Sequence, residues 1–273
     1  MFEPVEKTLY KSQDQFGALS VVETNMVRSL YFGNDKKQSS LFVPDPSVLV
    51  LPYAQAMMTS LIFSKKPEKI LLVGLGGGSL IHFLLRAFPD VKIDVVEIRE
   101  SVIELAYQFF FLNEFSDNVN IICADAEEYV SANSDIRNNY DLILVDAFDC
   151  NGPADINAKE NFLQECRYML NTTGVICFNL WNRITDSYSS SFQRLQKVFT
   201  GNILELRLGR QNSNVVVFGF KSDWYMDDEV QNQQYAIELN EKYGIDFPRY
   251  LNVIQSQNFS IIEKIKKKVF NSF

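Results

Sequence analysis

A chain of 273 residues with 47% apolar and 22% charged residues has ordinary globular composition and enough length to bury a sizeable core, which excludes disordered and fibrous classes. Its net charge of −8 disfavours nucleic-acid phosphate and suits a cationic partner. The opening MFEPVEKTLYKSQDQ has no basic segment followed by an apolar one, and no run of roughly 18 uninterrupted apolar residues is present to span a bilayer, so a cytoplasmic protein without membrane contact is expected.

Up to about Val43 the chain alternates with period two in runs such as Ala18 to Glu23 and Arg28 to Phe32, separated by Thr24-Asn25 and closed by Gly33-Asn34-Asp35. That pattern predicts hairpin strands forming a small, separate unit. Pro44, Pro46 and Pro52 end it, and the apolar residues from Tyr53 to Phe63 predict a buried helix. From Lys69 strands and helices alternate, with strands predicted at Ile70–Val73, Ile93–Glu97, Val119–Cys123, Leu142–Val145 and Gly174–Leu180. Amphipathic helical stretches such as Leu80–Phe88 and Ser101–Phe111 lie between the first four. Several strands are apolar on both faces, as a parallel sheet covered by helices on each side requires. A helix over Ser191–Phe199 and a hairpin of Ile203–Leu208 with Val215–Phe220 complete a Rossmann-like α/β sheet of the class I methyltransferase type, preceded by the small β-hairpin domain. The polar stretch from Asp227 to Phe273 reads as helical, and its Lys264, Lys266, Lys267 and Lys268 as a solvated face.

Four places carry candidate chemistry. Gly74-Leu75-Gly76-Gly77-Gly78-Ser79 joins an apolar strand to a helix, where residues without Cβ atoms let a ligand approach the backbone. Glu97 ends the next strand about twenty residues on, where a carboxylate can accept hydrogen bonds from both ribose hydroxyls of an adenosine. Asp125, beside the small Ala126, can accept from an adenine amino group or cap the helix beginning at Glu127. Asp146 and Asp149 follow a fully apolar strand at the mouth where open α/β sheets bind ligands, and two carboxylates three residues apart can hold a cationic amine and take its proton.

Cys123, Cys150, Cys166 and Cys177 are scattered without a CxxC pair and read as reduced thiols. His82, the one histidine, is assigned no base role, and no cluster of His, Cys and acids indicates a metal site or a permanently bound cofactor.

The succession of strand, DAFD at Asp146–Asp149, and Gly152-Pro153-Ala154 resembles the catalytic loop of the spermidine and spermine synthase family, usually written DSSDP followed by GPA. The order of the hairpin region, the proline-preceded helix near Tyr53, the glycine turn, Val96-Glu97-Ile98 and Cys123-Ala124-Asp125-Ala126 agrees with that family as far as about Phe220. The resemblance implies a homodimer or homotetramer that moves an aminopropyl group from decarboxylated S-adenosylmethionine to a small amine or polyamine. It further implies that Glu97 holds the ribose, Asp125 and Ala126 the adenine, Asp146 acts on the amine nucleophile, and Asp149 binds the acceptor. Gln38 and Tyr53 fall near the places where the family lines the donor and acceptor pockets, and Gly74, Gly76 and Gly77 form the donor turn. The implied domains are a hairpin region at 1–50, a nucleoside-binding catalytic domain at 51–222 and a helical extension at 223–273.

The chain departs from that pattern in three places. The family turn reads GGGDG, and its acid falls at Gly77 here. Tyr53 is followed by Ala54-Gln55-Ala56 in place of an acid, and the family's late aromatic stretch is replaced by Arg210-Gln211-Asn212 through Val216-Val217-Phe218. A turn without the acid also accommodates the α-carboxylate of intact S-adenosylmethionine, which an aspartate would repel. An S-adenosylmethionine-dependent methyltransferase and a catalytically silent nucleoside-binding homologue therefore stand beside the aminopropyltransferase. A dehydrogenase would leave the acid pair unexplained.

Overall fold

The computed structural model describes residues 6–33, 36–112, 117–148, 156, 159–182, 185–209, 213–222 and 229–259. Asp149, Cys150, Gly152 to Ala154, Arg210 to Asn212 and the lysines from Lys264 to Lys268, all singled out in the sequence, lie outside the described residues.

The chain begins with β1 (Glu6–Asp14), β2 (Gly17–Thr24), β3 (Val27–Phe32) and β4 (Lys36–Phe42), an antiparallel sheet in chain order. The hairpin reading holds for β2 and β3, which pair antiparallel from Leu19 opposite Phe32 to Thr24 opposite Val27. Leu19, Val21, Leu30, Phe32 and Leu41 from this sheet belong to the same buried cluster as Leu72 and Leu80, so the small sheet shares its core with the rest of the chain.

The buried helix expected over Tyr53–Phe63 is two short helices, α1 (Pro52–Met57) and α2 (Ser60–Phe63). Between them the backbone tightens to three-residue hydrogen bonds, Leu61 N–H to the Met58 carbonyl and Ile62 N–H to that of Thr59, both 3.0 Å. Pro52 stands in the first turn of α1, where its missing N–H costs nothing.

The larger body runs β5 (Lys69–Val73), α3 (Ser79–Ala87), β6 (Lys92–Glu97), α4 (Glu100–Phe109), β7 (Val119–Cys123), α5 (Ala126–Ala132), β8 (Tyr140–Val145), α6 (Glu160–Met169), β9 (Leu170–Trp181), α7 (Thr185–Val198), β10 (Ile203–Arg207) and β11 (Asn214–Phe220). Its seven strands lie in the order β10-β11-β9-β8-β5-β6-β7, with β11 antiparallel to β9 and to β10 and the rest parallel. The expected Rossmann-like sheet of methyltransferase type is the one observed. Alternation along the central strands divides two cores: Ile70, Leu72, Leu142 and Leu144 face one, and Leu71, Val73, Ile143 and Val145 the other. Each such fully buried side chain contributes about 1.5–3 kcal/mol, and together they fix the register that brings the ends of β5 and β8 side by side.

α7 starts six residues earlier than expected from the Ser191–Phe199 periodicity, and the strand expected at Gly174–Leu180 extends to Leu170 and Trp181. The C-terminal stretch forms α8 (Glu229–Tyr243) and α9 (Phe247–Asn258). α9 buries Phe247, Leu251 and Ile254 and closes the sheet edge with side-chain amides. Asn258 accepts from the Glu205 N–H at 2.8 Å and donates to the Glu205 carbonyl at 2.7 Å, and Gln257 accepts from the Arg207 N–H at 2.9 Å. Edge strand β10 is thereby paired as a neighbouring strand would pair it. Among the described residues no helix is long and apolar enough to cross a membrane, and Cys123, Cys166 and Cys177 are free thiols.

Candidate active site

The sheet order reverses between β5 and β8, and a cavity of ≈ 330 Å³ opens at the C-terminal ends of these strands and of β6 and β7. Gln38, Gly74, Gly76, Glu97, Asp125, Ala126 and Asp146, candidates from five separated places in the sequence, all line it. Gly77 and Tyr53 do not line it and stand behind its wall.

The floor is made by the glycine turn. Gly74 adopts φ +94°, and a Cβ there would stand 2.3 Å from the Asp146 carbonyl oxygen. Only glycine allows β5 and β8 to end this close, an approach held by Asp146 N–H to the Val73 carbonyl, while Gly74 N–H to the Val96 carbonyl ties the same strand end to β6. At Gly77 a Cβ would meet the fully buried Phe110 ring at 2.7 Å and the Ser39 hydroxyl at 3.2 Å. The missing acid is thus matched by an aromatic ring occupying its space. Main-chain packing of α3 against that ring is fixed by His82, whose Nε2 meets the Phe110 carbonyl at 2.7 Å, a structural use of the one histidine.

Glu97 is 8% exposed and spends each carboxylate oxygen on a backbone N–H, Leu75 to Oε2 and Arg99 to Oε1, both at 2.9 Å. Burial raises its pKa from the ordinary value, opposed by those hydrogen bonds. A carboxylate has more accepting sites than these backbone N–H groups use, so the side chain fixes the turn and can still accept from a ligand hydroxyl. Asp125 caps α5, its Oδ1 accepting from the N–H groups of Glu127 at 2.7 Å and Glu128 at 3.3 Å. Because Oδ1 alone makes the cap, capping leaves Oδ2 open to a ligand.

Asp146 stands at the end of β8 with Oδ1 accepting from the Asn179 amide at 2.8 Å. Burial, joined by the nearby Glu97 charge, pushes its pKa up to about 6 against the lowering effect of Asn179 and Tyr53. The Tyr53 hydroxyl donates to the Gln38 carbonyl at 2.8 Å and also faces the Asp146 carboxylate. Burial and that negative charge hold the tyrosine pKa well above its ordinary value, so it remains a neutral donor. The arrangement presents a carboxylate that is ionised at neutral pH yet more basic than a solvated one, beside a cavity with two further carboxylates and room for a nucleoside.

Several contributors escaped the sequence reading. Phe16, Phe32 and Ser39 bring the small sheet over the cavity, and Phe148 lines it while its ring meets Trp181 at 5.4 Å. Arg99, 4% exposed, ties the two sheets: its guanidinium pairs with Asp14 at 2.7 Å, reaches the Gly17 carbonyl at 3.1 Å, and lies over the rings of Phe32 and Phe16. Burial raises the Asp14 pKa, but hydrogen bonds from Ser101 and Arg99 outweigh it and leave the carboxyl below its ordinary value. For Phe16 and Phe32 the sequence signal was the aromatic content of the hairpins, and for Phe148 its place within DAFD.

Known proteins resemble this chain in sequence and in fold. The family model described as spermine/spermidine synthase domain matches residues 51–200. A polyamine aminopropyltransferase of Neisseria meningitidis serogroup A is 34% identical over 253 residues, covering 92% of this chain and 94% of that protein. A spermidine synthase solved in complex with the transition state analogue AdoDATO superposes with a TM-score of 0.68 at 19% identity, over 95% of this chain and 87% of the other. Human methyltransferase-like protein 13, solved in complex with SAH, gives a TM-score of 0.58 at 26% identity over 77% of this chain and 95% of the other.

Proposed function

The chain belongs to the spermine/spermidine synthase family, and we propose that it transfers the aminopropyl group of decarboxylated S-adenosylmethionine to a small diamine in the cavity at the ends of β5 to β8. The observation that carries this reading is Asp146: a carboxylate with its pKa raised to about 6 by burial, at the mouth of a nucleoside-sized cavity. In the proposed complex Glu97 accepts from the ribose hydroxyls, and Asp125, next to Ala126, accepts from the adenine amino group. Gln38, Gly74 and Gly76 line the donor, and Asp149 binds the far ammonium of the acceptor.

Alkylation requires the amine lone pair. Asp146 takes the proton of the attacking nitrogen, which forms a bond to the propyl carbon next to the sulfonium. The carbon–sulfur bond breaks, its electron pair returns to sulfur, and methylthioadenosine leaves as a neutral thioether. A base is most effective when its pKa lies near the working pH, and burial moves Asp146 in that direction. The carboxylates Glu97, Asp125 and Asp146 around one cavity favour a substrate pair that carries a sulfonium and ammonium groups. A homodimer or homotetramer and a cytoplasmic setting complete the reading, the latter supported by the free thiols.

The bare Gly77, backed by Phe110, favours one second reading, in which the cavity takes intact S-adenosylmethionine and the enzyme is a methyltransferase. Calorimetric titration with decarboxylated S-adenosylmethionine, S-adenosylmethionine and methylthioadenosine separates the two. Tighter binding of the decarboxylated donor, with methylthioadenosine released on adding a diamine, is the expected result. Preference for the intact donor with no such release overturns it. Asp146→Asn is expected to keep nucleoside binding and lose turnover by about a hundredfold or more, in the range of a general base.

A further inference from the structure

β9 is apolar and buried from Val175 to Leu180 except for one residue, Asn179, which is 1% exposed. A polar amide in such a run is costly unless both its ends are satisfied. They are satisfied by two different strands. Val145 at the end of β8 pairs with Phe178, which brings Asp146 alongside Asn179, and the Asn179 Nδ2 donates to Asp146 Oδ1 at 2.8 Å. On the other side Asn179 lies opposite Val216 of β11, and Asn214, two residues away on that strand, donates its Nδ2 to the Asn179 Oδ1 at 2.8 Å.

An amide has one accepting and one donating end. The ionised Asp146 carboxylate can only accept, so it claims the nitrogen of Asn179, and the Asn179 oxygen is held by the Asn214 amide. We propose that Asn179 is a positioning residue for the reaction: held by Asn214, it fixes Oδ1 of the Asp146 carboxylate on the protein and so sets which way the carboxylate faces the amine. The inference rests on the reading of Asp146 as the proton acceptor.

Among the described residues, four groups face Asp146. Tyr53 comes from α1, Glu97 from β6, and the Cys177 thiol and the Asn179 amide from β9. The Glu97 charge resists ionisation of Asp146, and the Cys177 thiol, itself raised by burial, stays neutral. Of the β9 pair, Asn179 alone donates to the Asp146 carboxylate, and donation to the charged form favours it. Removing that donor therefore moves the titration of Asp146 upward. The net worth of a hydrogen bond to a charged group corresponds to a shift of about one pH unit or more.

The test is a carbon-detected NMR titration of the aspartate carboxyls in the full-length protein. Asp146→Asn assigns the resonance, and Asn179→Leu is the variant. Turnover against pH is followed in parallel with decarboxylated S-adenosylmethionine and 1,4-diaminobutane. The Asp146 midpoint and the acid limb of the turnover profile are expected to rise together by about one unit in Asn179→Leu, with donor binding unchanged. A midpoint within about 0.3 unit of the wild type overturns the proposal.

Asn214→Leu, which leaves Asn179 in place and loosens its orientation, is expected to shift the midpoint in the same direction by less. It serves as the test if Asn179→Leu does not fold, and no shift in it then overturns the proposal. If Asp146→Asn keeps wild-type turnover, the reading of Asp146 as proton acceptor fails, whatever the titration shows. If Asp146→Asn is inactive and the Asn179→Leu midpoint does not move, the positioning role alone fails.

Discussion

Replacing Gly74 by alanine tests whether the close approach of β5 and β8 holds the site together. At φ +94° a side chain costs about 1–2 kcal/mol from backbone strain alone. The new Cβ would also stand 2.3 Å from the Asp146 carbonyl oxygen and 2.9 Å from its carbonyl carbon. Both are backbone atoms held by the β5 to β8 hydrogen bonds, so relief requires moving the strand end, at about 1–3 kcal/mol more by analogy with overpacked cores. A loss of about 2–5 kcal/mol lowers the melting temperature of a chain of this size by on the order of 10 °C. The displaced strand end carries Asp146 with it, and a shift of about 1 Å in a reacting group can cost a hundredfold in rate. Gly201→Ala is the control, since Gly201 has φ +81° and nothing within 4 Å of the added Cβ, leaving only the strain of about 1–2 kcal/mol. Calorimetric melting and turnover at saturating substrates are measured for both. Equal melting temperatures for the two variants, or full turnover in Gly74→Ala, refute the reasoning.

Asp146→Asn also bears on stability. A carboxyl whose folded pKa of about 6 exceeds its unfolded value of 3.8 binds its proton more tightly when folded, so its destabilising effect is absent below pH 4, grows between pH 4 and 6, and is full above. The variant should therefore melt higher than the wild type at pH 8, by on the order of 1–3 kcal/mol in stability, and equal to it near pH 3.5; thermal melts at the two pH values check the sign. Gly77→Asp should lose about 1–3 kcal/mol through contact with the buried Phe110 ring, measured by urea unfolding, and Phe110→Leu should be tolerated better in that background than in the wild type.

The sheet and the acids were legible because both are features of a single strand read along the chain. Ile70 to Val73 and Leu142 to Val145 are apolar at every position, which identifies buried parallel strands, and Glu97, Asp125 and Asp146 each stand where such a strand stops. Strand β1, strand β4 and helix α6 escaped because their own patterns are weak. β1 is largely exposed, with Leu9 and Tyr10 only half-buried, and α6 carries its buried Phe162, Leu163, Cys166 and Met169 within a polar stretch. The break between α1 and α2 was illegible for a different reason, since it falls at the buried Thr59-Ser60, within a mostly apolar run that holds no Gly or Pro to mark a turn.

What surrounds the acids depends on pairings between distant segments, and no local pattern announces those. Arg99 read alone is a surface cation at a helix start. Only the packing of the small sheet against the end of β6 shows it buried on Asp14 between two aromatic rings. Asn179 read alone lowers confidence in an apolar strand. Set between Asp146 at the end of β8 and Asn214 on β11, it becomes a polar bridge through that end of the sheet. The glycine turn falls between these cases: its glycines are visible in the chain, but the reason Gly74 must be glycine is an oxygen 72 residues away, the carbonyl of Asp146. Strand-end acids can thus be found from sequence, whereas the neutral groups that set their protonation are found only once the strand order is known.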